Sequence, residues 1–533
     1  MKKGWHFGTV LCILLFVISM VWINFHAAHW SQMDCYTYVL EGKLMHDARS
    51  FFPPYWYFGN QYHIVSSPNL AAVFYGITHN SMTAMALASS AAILVIALLF
   101  VWCFNSFTTR QARMAGLLCI LGGVIFGTDA AMYVSGLQVL YTMSSFYACY
   151  LAGILLTLGI WLRLQARQSV HIGLIILSLL LNFALGMQSL REMLILVIPL
   201  VLSEFVYSLR IQKRHVGVSF SVPCLLFVFG VFLFELAGHF YMESLHVTAT
   251  PIIEGIHLDL SPSHLLANLW ASTKNLLRIS GLAIAIDGIR YLPLSICALF
   301  IAATVFTSIF LIIKHQDQST LAKAVIFSLL SVLCVYGVGI FLMRTRDIYY
   351  FVYWLLAALS IVYLLQQKES PLRKCILPLL LPICCINYCF TFIPNFKDYA
   401  GSHKAVDAFT QSLVDRGISV IYTDSSPIFA AGSDDQIITQ TYWLDYNMTD
   451  GYPLSVFPSD KYALVYEDIY YDNALICMSN YYREAIAAAP EAFRQRLLSN
   501  LEYFDEITVR GERLTLYRSK ERVIHPFPHS QAN

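Results

Sequence analysis

Met33-Asp34-Cys35-Tyr36-Thr37-Tyr38-Val39-Leu40-Glu41-Gly42-Lys43 follows directly on the first long apolar segment of the chain. Read as a helix, it puts Asp34, Tyr38 and Glu41 on one face, at i, i+4 and i+7. Two carboxylates and a phenol then stand together at a membrane surface. Acids are also common at helix N-termini, where they oppose the helix dipole. The stretch alone therefore does not separate a reactive site from an ordinary polar helix start, and its surroundings have to decide.

Those surroundings are apolar. Of 533 residues, 57 % are hydrophobic and only 13 % charged, and the mean hydropathy is +0.60. A soluble domain carries about 25 % charged residues, so the composition is that of a polytopic membrane protein. The formal net charge of +1 gives no electrostatic footprint for a nucleic acid. The 32 Tyr, 35 Phe and 9 Trp suit interfacial belts and an aromatic-lined cavity. The 13 Cys lie mostly inside apolar segments without metal-type spacing, as in Cys384-Cys385 and Cys389. The apolar run from Phe7 to Phe25 is long enough to span and has no small-x-small cleavage site after it. It reads as an uncleaved first span rather than a signal peptide.

Further apolar stretches lie near 82–104, 112–129, 137–162, 170–187, 190–209, 216–240, 291–313, 322–343, 348–366 and 374–394. With the first, that makes about eleven transmembrane helices at ~20 residues per span. Basic residues set the orientation. Lys2 and Lys3, Arg110 and Arg113, Arg163 and Arg167, Arg210 with Lys213-Arg214, Lys314 and Lys323, and Arg373-Lys374 all return to one side in short loops. The positive-inside rule makes that side the cytoplasm. The opposite side collects Asp34, Glu41, Asp129, Glu192, Glu243, Asp287 and Asp347, and the long loops. The working surface is therefore expected to be extracytoplasmic.

Two outer loops stand out. The first, about 26–81, contains Phe51-Phe52-Pro53-Pro54-Tyr55-Trp56-Tyr57-Phe58-Gly59-Asn60-Gln61-Tyr62-His63. Pro53-Pro54 breaks any helix. Trp56, Tyr57 and His63 are candidates for contact with a sugar ring, and aromatic side chains also belong at a lipid interface. The second, 241–290, contains an amphipathic segment from Ser263 to Arg278 that reads as a helix lying in the interface, started by Ser261-Pro262. Its Lys274 and Arg278 are i, i+4 neighbours, placed to meet a lipid phosphate or to snorkel to headgroups.

Beyond Pro394 the composition turns charged and turn-rich. Residues 395–520 read as a small extracytoplasmic α/β domain: a helix over 402–415, strands at 418–424 and 462–466, a helix over 481–500, and a hairpin of 504–509 with 513–517 across Arg510-Gly511-Glu512. Cys477 would then face the outside, as would Cys35. Residues 521–533 read as a disordered tail. Asn447-Met448-Thr449 fits a three-residue glycosylation sequon.

Three charged sets meet on the outer face: Asp34 with Glu41, Arg191-Glu192 in the tight turn Gly186–Glu192, and Arg344-Thr345-Arg346-Asp347. The shortness of the Gly186–Glu192 turn puts Arg191 and Glu192 at bilayer depth, where a charge needs a partner or a watery cavity. The chemistry that suits these groups is transfer from a lipid phosphate. Arg and Lys grip phosphate oxygens with charge-assisted bonds. A carboxylate takes the proton of an acceptor hydroxyl as it attacks an anomeric carbon, with an oxocarbenium-like transition state. A phosphate leaving group needs no protonation, so one base plus cations suffices. A transporter places its ionisable groups near the midplane instead.

A first span, an outer loop opening with an acid in a Tyr-rich helix, many further spans and a C-terminal extracytoplasmic α/β domain together resemble the integral-membrane GT-C glycosyltransferases. The resemblance implies a GT-C-like catalytic domain over 1–394, with outer loops 26–81 and 241–290. It implies a polyprenyl-phosphate sugar donor and the base role for Asp34. In the family the first-loop acid is a base or a metal-linked acid, and many members carry a second acid beside the first, as Asp-Glu or Asp-x-Asp; here Cys35 and Tyr36 follow, so a divalent metal stays an alternative without its usual acid pair. The expected protein is thus a bacterial inner-membrane glycosyltransferase with a cytoplasmic N-terminus, serving a cell-envelope glycan, lipid or protein acceptor. Asp34 and Glu41 are its catalytic candidates. Arg191, Lys274, Arg278, Arg344 and Arg346 are candidates for the donor phosphate, and Tyr38, Trp56, Tyr57, His63 and Glu192 for substrate contact. A glycan polymerase or ligase using lipid diphosphate-linked oligosaccharide, a transporter or flippase, and a non-catalytic scaffold are the rival readings.

Overall fold

The computed structural model describes residues 2–26, 33–53, 62–127, 140–142, 147–212, 215–218, 221–245, 260–342, 346–367, 372–423, 429, 433, 436–440, 442–443, 455–456, 474–488, 491–499, 501–509 and 512–520. Among the expectations above, Trp56, Tyr57, Arg344, Asp129, the sequon, the 462–466 strand and the tail from 521 lie outside these residues, as do the side chains of Asp34, Cys35 and Tyr38. The chain forms two compact units. One comprises 1–21, 59–66 and 89–394; the other comprises 22–58, 67–88 and 395–533. The division falls inside the helices α1 (Lys2–His26) and α4 (Ser81–Phe104).

Eight helices among the described residues are long and apolar enough to cross a membrane, and the chain is an integral membrane protein. They are built on α1, α4, α6 (Ala148–Gln165), α9 (Val222–Ser244), α11 (Leu292–His315), α12 (Thr320–Phe341), α13 (Val352–Gln366) and α14 (Leu372–Thr391). A 3-10 turn lengthens α11 and α13 at the start, so that these two spans cover Ile289–His315 and Asp347–Gln366. Between α1 and α4 stand α2 (Met33–Ala48) and α3 (Ser67–Thr78). Two shorter apolar helices are α7 (Ile172–Gln188) and α8 (Ile198–Ser208), the latter entered through a π-helical turn Met193–Val197. The amphipathic α10 (Pro262–Ile279) lies where the sequence places an interfacial helix.

The 112–129 stretch is apolar along its length yet does not form one span. Helix α5 (Arg110–Leu118) passes into a π turn at Cys119–Gly123 and ends where Gly122 takes φ +119°, a left-handed angle that glycine tolerates. The carbonyls freed there are taken by side chains. Asn387 Nδ2 donates to Gly122 O (2.7 Å) and Ile125 O (3.1 Å), Thr391 Oγ1 to Gly127 O (3.3 Å), and Tyr141 OH to Ile120 O (2.7 Å). An unwound helix inside a bilayer requires such partners.

Within the first unit, α13 is buried from Val352 to Leu365 and α6 from Ala148 to Arg163 apart from half-buried Ala152. They carry Trp354 and Trp161, the largest fully buried side chains. Arg163, one of the basic residues placed on the cytoplasmic side, is a buried staple. It donates to Gly159 O (2.9 Å), Cys103 O (3.3 Å) and Asn105 Oδ1 (3.0 Å), and lies 4.1 Å over the Trp102 ring. Helix α1 is held to α14 by Trp5 Nε1 to Leu377 O (3.0 Å) and by the Ser19–Tyr388 hydroxyl pair (2.9 Å). Phe7, Ile18, Leu98, Phe306 and Ile313 stay exposed, as lipid-facing side chains do. The strands β1 (Leu209–Gln212) and β2 (His215–Val218) pair antiparallel.

In the second unit, α2 and α3 pack so closely that a Cβ on Gly42 would lie 3.0 Å from Pro68 O and from Ala71 Cβ. Helix α15 (Ile393–Asp415) leads to a five-stranded sheet ordered β4-β3-β7-β9-β8. Here β3 is Val420–Thr423, β4 Ile438–Gln440, β7 Ala474–Met478, β8 Leu501–Val509 and β9 Glu512–Ser519; a separate short pair is β5 (Tyr442–Trp443) with β6 (Ser455–Val456). The parallel strands β4, β3 and β7 continue into the antiparallel β9 and β8. The hairpin pairs up to Val509↔Glu512, so Glu512 belongs to the strand and not to the turn. The 481–500 segment holds two helices, α16 (Asn480–Ala488) and α17 (Glu491–Ser499), with the helix-breaking Pro490 between them in the sequence. Cys477 is a buried core residue of this sheet beside Ile421, Leu475 and Leu516.

Candidate active site

Helix α2 includes Asp34, Tyr38 and Glu41, so its backbone sets the three positions at i, i+4 and i+7 on one face. Glu41 is buried. The last turns of α2 are fixed on α3: His46 Nδ1 meets Ala72 O at 3.1 Å, its ring packs edge-on to Tyr75 (5.3 Å), and Lys43 Nζ stands 5.9 Å from the Tyr75 centroid. The acid-bearing helix is thus anchored at its C-terminal end by side chains of its own unit.

In the other unit, Arg191 sits where α7 stops and the next helix begins. The break is made at Ser189, whose extended backbone (φ −173°, ψ 161°) ends α7, and the Arg191 amide donates to Ser189 Oγ at 3.3 Å. The half-buried guanidinium is ringed by tyrosines: Tyr147 at 4.9 Å, Tyr349 at 5.3 Å and Tyr150 at 5.6 Å from ring centroids. Tyr147 and Tyr150 come from the start of α6, and Tyr349 from the 3-10 turn Asp347–Tyr350. Stacking on aromatic faces holds a guanidinium flat while leaving its edge donors for an anion.

Gln188 ties the 62–66 loop to this position. Its Oε1 accepts from the amides of Ile64 and Val65, both at 3.2 Å, its carbonyl accepts from Tyr62 N (3.2 Å), and its Nε2 donates to Tyr150 OH (3.1 Å). Tyr150 OH is also 2.8 Å from Ser189 Oγ. His63, a sequence candidate, is buried within this stitched loop, and burial pushes the Tyr62 phenol up. One constellation therefore gathers His63, Gln188, Tyr147, Tyr150, Arg191 and Tyr349.

The remaining candidates lie elsewhere. Arg346 is exposed and precedes the turn that carries Tyr349. Lys274 and Arg278 are exposed on the same side of α10 as Leu266, Trp270 and Leu277. Glu192 does not face the tyrosines; it is wholly buried under α6, where a Cβ on Gly153 would lie 2.5 Å from its Oε1. Sequence reasoning missed Gln188 and the three tyrosines. The i, i+3 spacing of Tyr147 and Tyr150 is a usable signal, but Tyr349 joins them only through tertiary packing. Among the described residues, no group of three or more His, Cys, Asp or Glu is placed to hold a metal ion.

No protein-family profile matches the sequence, and no curated protein matches it either. Solved structures do. ArnT from Cupriavidus metallidurans, in the apo state and bound to undecaprenyl phosphate, superposes with a TM-score of 0.56 in each case, at 10 % identity over 97 % of this chain and 98 % of that one. The chain has the GT-C fold. That fold accounts for the membrane helices and the C-terminal sheet together, since the match runs over nearly all of both chains. At 10 % identity it assigns no role to any side chain of this chain.

Proposed function

We propose that this protein is a membrane glycosyltransferase that moves a sugar from a polyprenyl-phosphate donor to a cell-envelope glycan, lipid or protein. The observation that carries the reading is the near-complete fold likeness to ArnT, one of whose structures is bound to undecaprenyl phosphate. The tyrosine-ringed Arg191 supports it, being a cation held in place to meet a phosphate.

In this reading Asp34 is the general base. It takes the proton of an acceptor hydroxyl as that oxygen bonds to the anomeric carbon. The bond from that carbon to the phosphate oxygen breaks, and its electron pair leaves with polyprenyl phosphate. Arg191, with Arg344 and Arg346, neutralises the charge that grows on the leaving phosphate. Lys274 and Arg278 receive the phosphate at the interface, and Glu41 positions the acceptor together with Tyr38. Trp56, Tyr57, His63 and Glu192 complete the candidate substrate contacts. Orientation follows the basic loops: N-terminus in the cytoplasm, α2 and the C-terminal sheet outside.

Binding of undecaprenyl phosphate to the purified protein tests the donor class. Native mass spectrometry in detergent is expected to show one retained polyprenyl phosphate that neutral polyprenol does not displace. Equal retention of phosphate and alcohol would show that no cationic phosphate site exists and sink the proposal.

A further inference from the structure

The feature of the first unit that the proposed reaction leaves unexplained is a pair of acids. Glu192, at the entry to the π turn, and Glu235, in the middle of α9, are both wholly buried. The π turn that follows Glu192 packs against α9, which carries Glu235. None of their four carboxylate oxygens has a hydrogen-bond partner, and the Met193 amide approaches Glu235 without reaching hydrogen-bond geometry. The helices meet here backbone to backbone. A Cβ on Gly186 would strike the Glu235 carbonyl, and one on Gly238 would strike the Phe183 carbonyl. Asn182, one turn before Gly186 on α7, also leaves its buried Oδ1 without a partner. The unpartnered atoms are all oxygens that accept.

The oxygens of two buried acids to which no side chain donates call for a positive species, because a buried carboxylate left charged and unpaired is costly. The titratable and charged groups packed around them do not supply it. On α6 these are Cys149 and Tyr150, both bound to Gln188. Arg191 is turned to the tyrosine ring. On α9, His239 is paired with Glu243 at 3.2 Å. The neighbouring α12 presents a hydroxyl, Ser331, which donates to Ile195 O of the π turn at 2.8 Å. No third acid, His or Cys joins the pair as a metal cluster among the described residues, which disfavours a transition-metal ion.

We propose that Glu192 and Glu235 together bind one small hard cation, a proton or a sodium ion, inside the packed helices. A proton joins the π turn to α9 as a hydrogen bond between the two carboxyls, and a sodium ion does so through contacts to carboxylate oxygens. The proposal does not rest on the transferase reading: it is argued from the burial and packing of the two acids alone.

The test uses the full-length protein in detergent, comparing wild type with Glu235→Gln and Glu192→Gln. Thermal unfolding is followed in sodium against choline at fixed pH, and infrared spectra are recorded for the carbonyl stretch of a protonated carboxyl. If the occupant is sodium, the wild-type Tm rises with sodium and the response disappears in either variant. If it is a proton, the wild type shows a protonated-carboxyl band that either variant loses, and sodium has no effect. A wild type with neither a sodium response nor such a band overturns the proposal, and this outcome needs no variant to fold. A band or response that persists unchanged in both folded variants overturns it equally.

Discussion

At the scale of single residues, Arg191 owes its place to three rings and to the turn before it. A guanidinium stacked on aromatics gains about 0.5–2 kcal/mol according to its exposure. Lysine keeps the charge but not the flat fork that stacks and bonds at once. Arg191→Lys is therefore expected to weaken undecaprenyl phosphate binding by about tenfold, equivalent to ~1.4 kcal/mol, with the unfolding temperature nearly unchanged. Titration of the lipid against both proteins checks this. Gln188 is a residue of the same kind: one side chain serves two backbone amides of the 62–66 loop and a tyrosine hydroxyl. Neither arrangement was legible in the sequence. Arg191 was, because a cation in so short a turn between apolar stretches needs a reason to be there. Its tyrosine neighbours were not, because Tyr349 is over 150 positions away in the chain and arrives by packing.

At the scale of elements, hydrophobic length located most helices, and broken ones were the exception. The 112–129 run is apolar enough to span, but length and hydropathy are blind to a glycine pair that turns the backbone, and to Asn387 waiting across the packing for the freed carbonyls. Asn387→Ala would leave Gly122 O and Ile125 O without that donor, at a cost of about 1–3 kcal/mol. The thermal unfolding temperature is expected to fall, while Asn387→Asp, which also removes the donor, should not restore it. The hairpin of β8 and β9 was read from its alternating pattern, and its one surprise carries a pH signature. Burial in strand β9 pushes the Glu512 carboxyl up, opposed by the Asn480 amide and Arg483. A raised carboxyl holds its proton more tightly folded than unfolded. Stability is then lost as pH rises from the unfolded value through the folded one, and the penalty is complete above it. Glu512→Gln should accordingly be more stable than wild type at neutral pH, with the difference shrinking as pH falls toward the ordinary carboxylate range. Thermal melts of full-length protein across that range measure it.

At the scale of the whole molecule, membrane residence was legible from the low charge fraction, and a GT-C architecture from the acid-bearing helix after the first span taken together with the many further spans and the C-terminal α/β segment. The ArnT likeness gives that architecture independent support across nearly the whole chain. The expected orientation rests on short basic loops and is open to direct measurement. Cysteine introduced at the exposed Glu491 of α17 should react with a membrane-impermeant maleimide in intact cells above the wild-type background. Cysteine at the exposed Arg167 should react only after the membrane is opened. The reverse pattern would invert the topology and with it the side on which Asp34 works.

The central claim is that this fold transfers a sugar from a polyprenyl phosphate with Asp34 as the base. The most direct measurement offers purified, folded protein a set of mass-tagged polyprenyl-phosphate sugars together with envelope glycolipid acceptors, and follows product by mass spectrometry for wild type and Asp34→Asn. The account predicts transfer by the wild type from at least one donor, with release of polyprenyl phosphate, and a rate lower by about 10²–10⁴ in Asp34→Asn, the usual contribution of a general base. Transfer that proceeds at the wild-type rate in folded Asp34→Asn, or no consumption of any donor by the wild type, would contradict it.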